Sequence, residues 1–266
     1  MSQTPLKGPL CTRASLVSDL KTFISPGDTI LLHTSLRTLG FVVGGAETVI
    51  QALLDVLTPN GTLVVPTHTG DNSDPSNWQF PPVPESWWQE IRDTTPAYDP
   101  RTSRTRGMGV LPELLRTWPG ALRSAHPQTS FAALGKNAEF ITSGHALDCM
   151  MGEQSPLAKL EEVGAKVVLL GVGFDVCTAL HLAEYRWEGV ETAINSFATN
   201  INGKREWMSV EDIAVKDHDF EQLGKDYHKT GRIRTAHVGA AKTMTFDMKD
   251  LVSFATHCFS IHRTEN

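Results

Sequence analysis

Two side chains three residues apart carry the first chemical suggestion in the sequence. His181 and Glu184 stand in LHLAEY, inside a segment that takes on helical apolar spacing from Thr178, so both fall on one helical face. An imidazole beside a carboxylate is the arrangement of a general base, in which the acid orients the ring and its free nitrogen takes a proton near neutral pH. A histidine in the first turns of a helix also feels the positive end of the dipole, which favours the neutral ring. A core histidine bonded to a backbone group would explain the same residues equally well. Cys177, four residues before His181, adds the option of a thiol nucleophile. Its neighbours Val176, Ala179 and Leu180 suit an inert buried thiol better.

Other groups could bind rather than react. His33-Thr34-Ser35 ends an apolar run, and Gly44-Gly45 precedes a helical segment. Backbone N–H groups and hydroxyls there would suit phosphates, although no Walker or GxGxxG pattern is present. Arg101, Arg104 and Arg106, followed by Gly107, form a second candidate anion grip, with a solvated loop as the plain alternative. Asp71, Asp74 and Asp99 lie among Trp78, Trp87 and Trp88, and Asp212, Asp217, Asp219 and Glu221 form a later acidic group. Carboxylates beside aromatic faces are what a polyamine or amino sugar needs. His126-Pro127 with Arg123 and Ser124 reads as a turn or part of a site. His33, His68, His126 and His181 do not have the spacing of a metal motif, and the four cysteines (Cys11, Cys149, Cys177, Cys258) show no CxxC pair, so no metal is expected.

Positioning these groups requires a scaffold. Lys166–Leu170 and the glycines after it read as a doubly buried strand feeding the helix that carries His181. Upstream, a helix over 12–24, a strand over 29–32, a helix from Ala46 and a strand over 62–67 make a βαβ unit, which predicts parallel pairing. Residues 68–106 are rich in Pro, Asp, Ser and Trp and read as an ordered insertion facing substrate, with a short helix at 85–91. Helices follow at 108–118 and 155–163, with a strand at 130–134 between them. Asn202-Gly203 predicts a hairpin joining strands 192–200 and 204–210. Helix 219–229, strands 232–238 and 242–246 and helix 248–262 close the chain. The expectation is one α/β domain over 1–266, a three-layer α/β/α arrangement with a mixed, partly parallel sheet.

Composition supports a packed enzyme-like chain. Of 266 residues, 40% are hydrophobic and 20% charged, enough for a core and unlike a disordered segment. A formal net charge of −6 disfavours a nucleic-acid groove. The longest apolar runs are too short to span a membrane, and MSQTPLKGPL has no apolar targeting core, so a soluble cytoplasmic protein is expected. A homodimer is compatible with the sequence, which carries no mark of oligomeric state.

Six motifs then occur in one order: HTSLRTLGFVVGGAE, PTHTGDNSDPSNW with PPVPESWW after it, TRGMG, RSAHPQTSFAALG, GEQSPL and LLGVGFDVCTALHLAEYR. Together they make the chain resemble the aminoglycoside 3-N-acetyltransferases, the antibiotic N-acetyltransferase family distinct from the GNAT fold, from about Leu16 to Phe259. The resemblance implies acetyl-CoA as acetyl donor, a cationic aminoglycoside as acceptor and no metal. It implies His181 as the catalytic base, with Glu184 and Asp217 as associated carboxylates. It implies a coenzyme A site formed by His33, Thr34, Ser35, Leu36, Val43, Gly44, Thr105, Arg106, Ser130 and Phe131. Asp71, Asp74, Trp78, Asp219 and Glu221 are implied to face the aminoglycoside. Transfer to another amine with little or no role in resistance, and coenzyme A or amine binding without catalysis, remain open beside it.

Overall fold

Three continuous apolar runs, Ile30–Leu32, Leu63–Val65 and Val167–Leu170, form the middle of the sheet and are 0–1% exposed. The computed structural model describes residues 8–263. The chain opens with β1 (Leu10–Cys11), α1 (Arg13–Leu20), β2 (Thr29–Thr34), β3 (Phe41–Val42), α2 (Gly45–Leu57) and β4 (Thr62–Pro66). Next come α3 (Trp88–Thr94), α4 (Val110–Leu115), β5 (Leu122–Arg123), β6 (Phe131–Gly135), α5 (Ala138–Thr142), α6 (Pro156–Glu162), β7 (Lys166–Leu170) and α7 (Leu180–Tyr185). The chain then runs through β8 (Thr192–Ile201), β9 (Lys204–Ile213), α8 (Phe220–Lys229), β10 (Arg234–Val238), β11 (Ala241–Asp247) and α9 (Met248–His262).

The main sheet has seven strands in the order β10-β11-β7-β2-β4-β6-β5. β7, β2 and β4 are parallel, with Leu31 opposite Val64 and Thr34 opposite Leu170. The outer pairings are antiparallel. Side chains alternate across it. Leu31, Val64, Val167 and Leu169 enter one core with residues of α5 to α9. Ile30, Leu32, Leu63, Val65, Val168 and Leu170 enter the other with residues of α1, α2 and α4. Both faces are therefore covered, as a sheet with a parallel centre requires, and the fold is the expected mixed α/β/α sandwich. Truncating Leu31 to Ala would open a cavity costing about 2–5 kcal/mol.

Strand order also locates the crevice. From β2 the chain crosses to β4 on one side and later returns to place β7 on the other. Such a reversal opens a gap beyond the carboxyl ends of the central strands, the usual ligand position in open α/β sheets.

β8 and β9 form a separate two-stranded sheet. Its turn residues Asn202 and Gly203 have φ of 53° and 82°, the left-handed pair that a two-residue hairpin demands. The insertion docks on this hairpin. The Asn72 side chain donates to Ala198 O and accepts from Ala198 N, both at 2.9 Å. At its base, Arg106 N donates to His68 O at 2.8 Å, so the excursion leaves and returns at one point.

Some expected boundaries shift. Thr12 caps α1 rather than belonging to it, accepting from Ser15 N. The helix expected over 108–118 contracts to α4, because Gly109 has φ of 86° and only the residues after it wind. The helix expected to open at Thr178 starts at Leu180, after a 3₁₀ turn at Phe174–Val176. α5, β1, β3 and β5 are short elements without a periodic signal. Among the described residues no helix is long and apolar enough to cross a membrane.

Candidate active site

β7 gives way at once to Gly171, whose φ is 70° and whose added Cβ would stand 1.8 Å from Thr38 Oγ1. Only glycine makes that turn, which sends the chain over the carboxyl edge of the sheet and into α7. There His181 Nδ1 lies 2.6 Å from Glu184 Oε2. The His181 side chain is 13% exposed and that of Glu184 is 0% exposed. Because a carboxylate only accepts, Nδ1 is the donor of this bond, and in the neutral ring Nε2 is then the acceptor. Nε2 has no hydrogen-bond partner among the described residues. Phe220 packs on the ring at 4.9 Å between centroids.

Glu184 is held in turn. Its Oε1 accepts from Lys216 N at 2.9 Å and from Arg263 Nη1 at 2.7 Å. A fully buried carboxylate is tolerated only with donors of this kind.

His181 opens on a cavity of about 740 Å³ beyond the ends of β2, β4 and β7, within the usual range for a small-molecule site. His33 and His68 share it. His33 Nε2 is 3.1 Å from Thr178 Oγ1. Burial lowers both rings from the ordinary histidine value to about 3, with the charge of His181 adding to the effect. They are therefore neutral at physiological pH. Thr34 Oγ1 and His68 Nε2 are buried without a partner among the described residues, although buried polar atoms are normally paired. Asp175 and Asp217 give this cavity negative charge, and Arg37 gives it a cation.

The remaining expected site residues are distributed as follows. His33, Thr34, Ser35, Leu36, His181 and Asp217 line the cavity. Thr105 and Arg106 adjoin its wall, which the chain reaches at Gly107–Gly109. Thr105 N and Oγ1 both donate to Glu113 Oε2, at 2.9 and 3.0 Å. Arg116 beside Glu113 draws that carboxyl down to about 2. Val43 and Gly44 lie at the start of α2, outside the lining residues. Ser130 and Phe131 are 0% exposed and sit in the sheet, with Ser130 Oγ donating to Thr67 O at 2.9 Å and accepting from Arg123 Nε at 3.0 Å. Neither lines the cavity.

The expected substrate residues also have other partners. Asp74 receives Arg92 through two bonds of 2.9 and 2.8 Å and caps the turn at Pro75–Asn77. The Arg92 bond draws its carboxyl to about 2. Trp78 Nε1 donates to Ser73 Oγ at 2.9 Å, and Asp71 is exposed. Asp219 is bound to Arg263, and Glu221 to Lys225 on the surface. Cys177 is 1% exposed, and burial pushes its thiol up to about 12, which removes the thiolate a nucleophile needs. Sequence reasoning passed over Arg263, Thr178, Asp175 and Arg37. No local pattern marks Arg263, which meets Glu184 across 79 positions.

An imidazole–carboxylate pair thus stands in the crevice of a doubly covered α/β sheet. Residues 31–260 match the family described as aminoglycoside 3-N-acetyltransferase, and the chain belongs to it. It is thus an acyltransferase of that family. A protein of Bacillus subtilis (strain 168), named SPbeta prophage-derived aminoglycoside N(3')-acetyltransferase-like protein YokD, is 40% identical over 257 residues, covering 96% of this chain and 94% of its own. The crystal structure of YokD agrees with a TM-score of 0.94 at 38% identity, covering 99% and 97% of the two chains. Aminoglycoside N(3)-acetyltransferase VII of Streptomyces paromomycinus is 38% identical over 264 residues, covering 93% and 90%. A structure of AAC-IIIb, binary with CoASH, has a TM-score of 0.83 at 32% identity and covers 94% and 97%.

Proposed function

We propose that this chain transfers the acetyl group of acetyl-CoA to the 3-amino group of the 2-deoxystreptamine ring of an aminoglycoside, directly and with His181 as general base. The observation that carries this reading is the dyad: His181 Nδ1 is fixed at 2.6 Å on the buried Glu184, while Nε2 is left for an incoming amine. The cavity suits both substrates. Its unpaired buried polar atoms, Thr34 Oγ1 and His68 Nε2, and the side-chain-free wall at Gly107 and Gly109 fit an amide- and carbonyl-rich chain such as that of coenzyme A. Asp175 and Asp217 offer charge-assisted bonds to ammonium groups. The insertion over 68–106 borders the same cavity at His68 and returns to its wall at Gly107, the residue after it.

Acetyl-CoA supplies a thioester carbonyl with a good leaving group. As the amine nitrogen bonds to that carbonyl carbon, His181 Nε2 accepts the amine proton. The carbon–sulfur bond then breaks, and the same proton is available to the departing thiolate. Glu184 stabilises the imidazolium formed in between. The buried thiol of Cys177 takes no part, so no acetyl-enzyme forms.

The test follows thiol release from acetyl-CoA across a panel of aminoglycosides, including apramycin and a 3-hydroxy control lacking the target amine. His181→Ala should lose on the order of 10²–10⁴-fold in kcat while still binding acetyl-CoA by calorimetry. Full activity in that variant overturns the assignment. Asp74 is occupied by Arg92 rather than turned to the cavity, which favours keeping a second acceptor class, another primary amine, in the same panel.

A further inference from the structure

Arg263 follows the last helix and lies outside the residues 31–260 that match the family. Its side chain is nonetheless only 8% exposed. Nη1 donates to Glu184 Oε1 at 2.7 Å, Nη2 to Asp219 Oδ1 at 2.6 Å and to Lys216 O at 2.7 Å, and Nε to Asp219 Oδ2 at 2.8 Å. The guanidinium also lies over the Phe259 ring at 3.7 Å. Four of the five N–H donors of the fork are taken by Glu184 of α7 and by Lys216 and Asp219 in the segment before α8, and Phe259 of α9 covers its face. Burial opposes its charge, but Asp219 and Glu184 outweigh that and hold its pKa above the usual value.

We propose that Arg263 is a positioning residue for the dyad: it fixes Glu184 as acceptor for His181 Nδ1 and sets the pH at which His181 can take a proton. The inference rests on the reading of His181 as the base. Glu184 has two oxygens, one on His181 and the other on Arg263 and the Lys216 N–H. The carboxylate therefore cannot turn without abandoning a charged donor. Arg263 does not line the cavity, so its effect reaches substrate only through this relay.

The sign of the electrostatic effect is fixed whichever partner holds the proton. A positive charge beside an imidazole–carboxylate pair lowers the pH at which the pair as a whole binds a proton. Removing it raises that pH, while removing Asp219, which partly neutralises Arg263, lowers it. The other charged or titratable groups facing this assembly are few. His218 acts on Asp219. His33 and His68 face His181. Asp175, Asp217 and Arg37 share its cavity, and the Lys216 ammonium is drawn away to Glu191.

The experiment measures kcat/KM against pH for the wild type, Arg263→Gln, Arg263→Lys and Asp219→Asn, together with a ¹⁵N titration of the His181 ring in each. Arg263→Gln should move the acidic limb up by about one pH unit with the KM for acetyl-CoA unchanged. Asp219→Asn should move it down. Arg263→Lys should leave the limb in place but lower kcat, since an ammonium keeps the charge and loses the fork. A purely structural role predicts loss at all pH values with no movement of the limb. That result, or shifts of the same sign in Arg263→Gln and Asp219→Asn, overturns the proposal. If Arg263→Gln does not fold, the Lys and Asn variants decide. If the wild type transfers no acetyl group, or His181→Ala keeps full activity, the catalytic reading fails, and the ¹⁵N titrations still decide whether Arg263 sets the ring. A wild type that depends on His181 but shows unmoved limbs refutes only Arg263.

Discussion

Two buried histidine groups lie at the carboxyl side of this sheet, and they differ in what is left over after folding. His126 and His145 stack with ring centroids 4.7 Å apart, and all four ring nitrogens are occupied. His126 Nδ1 accepts from Gln128 N and Thr129 N at 3.1 Å each, and Nε2 meets Leu147 O at 3.2 Å. His145 lies between Ser124 Oγ at 3.0 Å and Met150 O at 2.9 Å. In the cavity group, among the described residues, His181 has one bonded nitrogen and one open, and His68 Nε2 has no partner. A histidine whose capacity is used up within the chain holds loops together. One with spare capacity at a cavity wall can serve a ligand.

The largest break in this contrast is expected at Glu184. Glu184→Gln keeps the shape but replaces an acceptor with a group that can also donate, so the tautomer of His181 is no longer fixed. The loss in kcat should be on the order of 10²–10⁴-fold, as in other imidazole–carboxylate pairs. Acetyl-CoA affinity should hold. Stopped assays and calorimetry on one preparation separate the two, and an unchanged kcat would remove Glu184 from the mechanism.

At His126 the expected outcome is inverted. His126→Leu strands the N–H groups of Gln128 and Thr129 and the carbonyl of Leu147, at about 1–3 kcal/mol for each buried group left unpaired. The melting temperature should fall by roughly 5–15 °C, while kcat per folded molecule stays within about twofold of wild type. A large kcat loss without destabilisation would place the pair in the catalytic apparatus instead.

Acid weakens both groups together. Burial lowers His126 to about 4 and His145, His33 and His68 to about 3, against about 6.5 in an unfolded chain. The unfolded state therefore binds more protons between these values. Stability is full above about pH 6.5 and is lost as pH falls through the folded pKa values, by up to about 1.4 kcal/mol per pH unit for each such histidine. Urea midpoints at pH 7.5, 6.5 and 5.5 should show the decline, and a flat series would contradict it.

Local rules made much of the frame legible. The left-handed pair Asn202-Gly203 announced its hairpin, the doubly apolar Val167–Leu170 its central strand, and the periodicity of 248–262 the bounds of α9. The spacing of His181 and Glu184 indicated one helical face, and the structure joins them. What stayed hidden depends on distant partners. Ser130 follows a turn and looks available, yet it pairs with Thr67 and Arg123 inside the sheet. Asp74 looks like a free carboxylate, yet Arg92, 18 positions on, occupies it. Arg263 looks like a terminal charge, yet it reaches the dyad across the core. Charge and side-chain type are local, whereas satisfaction is not.

Cys177 is the smallest expected effect and the sharpest check on that distinction. It stands beside the dyad in sequence, but its thiol is buried in the core formed by Phe174, Leu180 and their neighbours and pushed up to about 12. At pH 7.5 the thiolate is then a negligible fraction, and a route through it would have to carry that penalty on every turnover. Cys177→Ala should therefore keep kcat within about twofold, at a packing cost of about 1 kcal/mol for the lost sulfur. Intact-protein mass spectrometry after mixing wild type with acetyl-CoA alone should show no added acetyl group. An acetylated species that disappears in Cys177→Ala would show that proximity in sequence had been the better guide.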